Sequence, residues 1–216
     1  MAAFVRKEEH LKVEWDQAWA SCGVAPERLV PHWSFLVKKY TGVGRAYHNL
    51  RHLEQMFMAL EDFHIPADRP LLALAILYHD VIYVVHRRDN EDRSADLAER
   101  HLLEAGVSPS VAGRTAHLIQ LTKNHQLAGS KDHLAPILLD VDLGILGSPW
   151  TIYEQYMQQI RREYRIYPTV LYRRGRVQAL QHLLRGERLF HSPAYIDRFE
   201  ERARENIARE IQFWQG

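Results

Sequence analysis

Cysteine is almost missing from this chain. Among 216 residues only Cys22 is present, so no internal disulfide can form and a reducing compartment is expected. A surplus of either charge is missing too. The 28 lysines and arginines face 27 acidic residues, a balance that argues against a dedicated nucleic-acid binder. No apolar run approaches the length of a membrane span. The opening MAAFVRKEEHL has no apolar stretch of the secretory kind. A cytoplasmic protein without a membrane partner is the expectation. Neither Asn-Gly nor Asp-Gly occurs, and no alternating run persists, so hairpins and sheet are not expected. There is no P-loop and no Gly-rich dinucleotide fingerprint. No internal repeat, low-complexity tract or linker breaks the chain, which reads as one domain over residues 1–216.

What is present is helical punctuation. Ser108, Ser148 and Ser192 each precede a proline. Serine suits the N-cap and proline the first helical position. Gly23, Gly42, Gly106 and Gly186 stand where helices can stop. Phe199, Ala203, Ile207 and Ile211 repeat every four residues in FEERARENIAREIQFW, an apolar helical stripe. Apolar residues make up 46% of the chain, enough for a full core. The spacing predicts an all-α bundle of about eight to ten helices.

The charged residues that matter sit where charge is costly. LLALAILYHDVIY places His79 and Asp80 at the end of an apolar run, where neither is cheaply buried without a partner. His48 and His52 in YHNLRHLEQM are one helical turn apart. Asp140 and Asp142 lie within LLDVDLGIL, a stretch with no Arg or Lys to pair them. A shared cation would neutralise His52, His79, Asp80 and one of the aspartates together. That mixture of imidazole and carboxylate favours Mn, Fe, Co, Ni or Zn over Ca, with Mg held through waters. On a regular helix Asp140 and Asp142 point about 200° apart, so one should face the ion and the other a different partner, such as a histidine or arginine. A second cluster of interest is cationic. Eight arginines fall between Arg161 and Arg188, against Glu163 and Glu187, and no lysine follows Lys131. Arginine suits two-pronged phosphate recognition, and Arg161, Arg162, Arg173 and Arg176 are the candidates for that task.

The order of these features resembles the HD superfamily of metal-dependent phosphohydrolases. The likeness runs from about Tyr47 to Gly147, through YHNLRH, YHDVIY, DNEDRSA and LLDVDLGILG. The C-terminal IRREYRIYP, YRRGR and ERARENIARE are similar to an uncharacterised branch of predicted HD phosphohydrolases. The resemblance implies a helical HD core over about residues 47–147, with the remaining helices packed on it. It implies His52, His79, Asp80 and Asp142 as metal ligands, with Asp140 the alternative to Asp142 and His48 the alternative to His52. Asp80 and Glu91 are then the catalytic carboxylates, either of which could take the proton of the attacking water. His48, Asn49, His125 and the four arginines would contact substrate, a nucleotide or small phosphorylated metabolite. His117 and His125 could hold a second ion. The expected activity is phosphohydrolysis through a metal-activated water. The alternatives are a di-iron oxygenase of the HD type and a non-catalytic nucleotide-binding regulator. A homodimer is compatible with all three.

Overall fold

The run from Leu72 to Tyr78 is apolar on every side, and a helix of that kind belongs in the middle of a core. In the structure, a computed structural model, all seven of these residues are buried. The structure describes residues 2–65, 67–127 and 129–216. Among them are ten α-helices and two 3-10 turns, and no strand. The all-helical expectation therefore holds. Contacts along the chain divide it into two compact units, Met1–Leu138 and Leu139–Gly216.

The first unit contains α1 (Ala2–Ser21), a 3-10 turn (Pro26–Leu29), α2 (Val30–Tyr40), α3 (Leu50–Leu60), α4 (Arg69–Tyr78), α5 (Asn90–Glu104) and α6 (Pro109–Leu121). Helix α4 packs against α1, α3, α5 and α6, while α5 and α6 pair with each other. Local chemistry starts and stops these helices much as expected. The Ser108 hydroxyl accepts from the Val111 N–H at the start of α6. Gly23 and Gly106 follow α1 and α5 with φ of 77° and 89°, backbone that glycine adopts without strain. Trp15, Trp19, Trp33 and Tyr78 form an aromatic core between α1, α2 and α4. The Tyr78 hydroxyl meets His101 Nδ1 at 3.1 Å. Burial, then the neighbouring His32, brings the His101 imidazole down to about 4.

Helix α7 (Ala135–Leu143) contains the division between the units. The second unit continues with a 3-10 turn (Gly144–Gly147), α8 (Trp150–Glu163), α9 (Thr169–Leu184) and α10 (Pro193–Gln215). Ser148 does not cap α8. Pro149 holds ψ at 146° and takes the N-cap position itself, so the helix starts one residue later than the Ser-Pro pattern suggests. Helix α10 packs on the 3-10 turn, α8 and α9. A Cβ at Gly147 would come within 2.5 Å of Phe199, so only glycine permits this approach. The expected stripe on α10 buries Ala203 and Ile207 fully, with Phe199 and Ile211 at its half-buried edges.

The second unit also buries an ion pair. Arg176, 12% exposed, donates to both carboxylate oxygens of fully buried Glu210. Tyr153 and Trp214 donate to the same carboxylate. Burial alone would raise the Glu210 carboxyl, but these donors outweigh it and hold the group below the usual glutamate range. Replacing Arg176 by Met strands a buried charge. The variant should lose about 3–5 kcal/mol of stability in urea unfolding. Because the folded carboxyl titrates below the unfolded one, the pair's contribution is complete above the ordinary glutamate range. It fades as pH falls through the folded value. The stability gap between parent and Arg176→Met should therefore narrow in acid.

Candidate metal centre

Three local decisions bring the ligand atoms together. Helix α3 begins where the Asn49 side chain accepts from the Arg51 N–H. His52 then falls in its first turn, buried against the Tyr47 ring. Helix α4 ends at Tyr78, leaving His79 at its C-cap and Asp80 just beyond. Two loops are tied around that end. Arg45 donates to the carbonyls of His48, Asp80 and Val81, at 2.9, 2.7 and 3.1 Å. Its guanidinium lies between the rings of Tyr40 and Tyr83. The Asp80 N–H donates to the Tyr40 hydroxyl. On the other side, Asn90 holds both the N–H and carbonyl of Val84, and the Ser94 hydroxyl does the same for Ile82. These bonds fasten the segment after the His-Asp doublet to the start of α5.

The result is a group in which one atom each of His52, His79 and Asp80 lies within 4.8 Å of the others. His52 and His79 approach Nε2 to Nε2 at 3.3 Å. His79 Nε2 lies 3.2 Å from Asp80 Oδ2. The other His79 nitrogen, Nδ1, meets the Ile76 carbonyl at 2.8 Å. A carbonyl only accepts, so Nδ1 carries a proton and Nε2 is the nitrogen turned toward His52 and Asp80. That nitrogen faces a carboxylate oxygen inside the protein. The arrangement calls for a positive charge between them. A divalent cation fits the spacing: two ligand atoms each about 2.0–2.2 Å from an ion lie roughly 3–3.5 Å apart. The backbone bond on Nδ1 is also the usual way in which a ligating histidine is oriented.

Other expected residues surround this group in different ways. His48 Nε2 stands 3.9 Å from Asp80 Oδ2, with its ring 4.3 Å from that of Tyr83. Asn49 uses its amide as well as its oxygen, donating to the Ala46 carbonyl while capping α3. Glu91, in the first turn of α5, is half-buried. Burial raises its carboxyl and the negative charge of Asp80 raises it further, while His125 and Lys123 pull it back. Those four side chains thus share one electrostatic neighbourhood. His125 carries a left-handed backbone, φ 50°, unusual outside glycine. His117 is exposed and bonded to the Ser130 hydroxyl.

Asp140 and Asp142 belong to the second unit. Asp140 is fully buried and accepts from the backbone N–H groups of His191 and Ser192, both at 2.7 Å. Its hydrogen-bond partners are the two residues that lead into α10. Asp142 is half-buried. The four candidate arginines are also in this unit. Arg161 donates to the Tyr164 and Tyr167 carbonyls, Arg162 is exposed, Arg173 lies over Trp214, and Arg176 is committed to Glu210. Arg45 was not among the expected site residues. A single arginine between glycine-rich and aromatic segments, TGVGRAY, gives no sign that it will reach three carbonyls.

Comparison with protein-family models, with curated proteins and with solved structures finds no match. The site therefore stands on its own geometry. His52→Ala and His79→Ala should each abolish tight binding of a divalent ion, read as metal per chain after dialysis, with helix content unchanged. Arg45→Met keeps the ligands but frees the backbone that carries them. It should weaken metal affinity by about tenfold or more.

Proposed function

We propose that the protein is a metal-dependent phosphohydrolase acting on a nucleotide or a small phosphate ester. The observation that carries this reading is the convergence of His52, His79 and Asp80 in one buried cluster that could hold a metal ion. The HD resemblance agrees with it and supplies the reaction class. A divalent ion held there would acidify water and draw charge from phosphoryl oxygens. The chain's own groups then divide the work. His52, His79 and Asp80 hold the ion. Glu91, with a raised carboxyl beside Asp80, accepts the proton of the attacking water. His48, at the edge of the same carboxylate, can donate to the leaving oxygen. Lys123, paired with Asp92 at 2.6 Å, and His125 lie on the Glu91 side. The resemblance nominates Asp142 as a further ligand and Asn49 as a substrate contact, and the local excess of arginine nominates Arg161, Arg162, Arg173 and Arg176 for the same contact.

The test is a screen of phosphorylated metabolites against protein loaded with Mn, Co, Ni or Mg. Phosphate release is expected with at least one substrate and should vanish in His79→Ala. Glu91→Gln should retain the metal while kcat falls by about 10²–10⁴-fold. Tight binding of a nucleotide without hydrolysis under any metal would replace this reading with that of a regulator. For the remaining aspartate, Asp142→Ala is expected to lose metal. Asp140→Ala should instead destabilise the second unit, and metal loss confined to it would transfer the ligand role.

A further inference from the structure

The connection between α8 and α9 places aliphatic side chains where a folded protein normally hides them. Ile166, Val170 and Leu171 are 61%, 77% and 59% exposed. Val170 and Arg174 are one helical turn apart on α9, and Arg162, Arg165 and Arg174 are all exposed. From Tyr164 to Gly186 there is no acidic residue. Glu163, just before this stretch, is buried. Helix α9 buries only Tyr172 and Leu180. The tip is nevertheless firmly built. Arg161 donates to the Tyr164 and Tyr167 carbonyls and to the Thr169 hydroxyl, and its guanidinium lies 4.7 Å from the Tyr172 ring centre. Pro168 then starts α9. The exposed aliphatic groups are thus held outward by a braced turn.

The geometry points to an anionic lipid surface as the partner of this tip. Aliphatic groups surrounded by arginine match the interface of a bilayer, where the apolar part enters the acyl boundary and the guanidinium groups meet headgroup phosphates. Exposure this high leaves no groove wall to hold a peptide. A second copy docked two-fold on the same tip would oppose arginine to arginine. Single-stranded nucleic acid needs open aromatic faces, but Tyr164 and Tyr167 stack on each other and Tyr172 is buried beneath Arg161. The attachment is peripheral, since no helix of the described residues is long and apolar enough to cross a membrane.

Sedimentation of the full chain with phosphatidylcholine vesicles, with and without phosphatidylglycerol, tests this. Binding is expected only to the mixed vesicles, and raised salt should weaken it. Each arginine near such a surface is worth about fivefold in partitioning. Arg165→Glu with Arg174→Glu should therefore cost about thirtyfold or more by the same rule. Val170→Asp with Leu171→Asp should abolish binding. Both double variants should melt at the parent temperature, because the replaced side chains are exposed or at the tip. Failure of the parent chain to sediment with mixed vesicles overturns the proposal, as does equal binding by either double variant. Self-association that Val170→Asp with Leu171→Asp dissolves would assign the tip to a second copy and overturn it. Oligonucleotide binding lost in the arginine variant, without vesicle binding, would do the same.

Discussion

The bond from His79 Nδ1 to the Ile76 carbonyl determines what the rest of the site can be. Helix α4 is buried along its last seven residues, so its C-terminal carbonyls cannot rely on water. The side chain of His79 turns back onto one of them. That single contact satisfies an orphan acceptor, sets the tautomer and aims the second nitrogen at Asp80 and His52. Were the ring flipped, carbon would replace nitrogen at both the Ile76 carbonyl and the carboxylate. The three side chains would then no longer bring ligand-type atoms together.

Everything nearby works to keep the end of α4 in that state. Arg45 collects three carbonyls from two separate segments. Asn90 and Ser94 give the following loop the pairing that a strand neighbour would otherwise provide. A helical protein has no sheet to organise its irregular segments. Here polar side chains do so, each bonding the backbone of a loop whose own amides would otherwise be unmatched.

Some of this was legible in the chain before any coordinates. The apolar helix ending in His-Asp was visible as composition, and the turn-spaced histidines as period. Ser108 and the glycines after α1 and α5 carried their meaning locally, in one or two residues. Other features were hidden because they depend on where loops travel. Arg45 looks like any surface arginine until the segments of His48 and Val81 are seen side by side. Asp140 lacked a sequence neighbour of opposite charge, which correctly suggested a distant partner. That the partner is a pair of main-chain amides has no signature in residue type. The shift of the α8 start from Ser148 to Pro149 is smaller but of the same kind: two good caps compete, and only the backbone angles decide.

The Asp140 contact also has a bearing on the order of assembly. Its carboxylate closes on amides 51 and 52 residues later in the chain. During synthesis, α7 is made before the two amides that this acid accepts from in the folded protein. Loop closure over that distance costs entropy that local helix formation does not. Helices α8 and α9 can therefore form early as separate turns of chain, while the packing of the second unit waits for α10. This half of the molecule acquires its native core only once α10 has been made and can offer those two amides to Asp140.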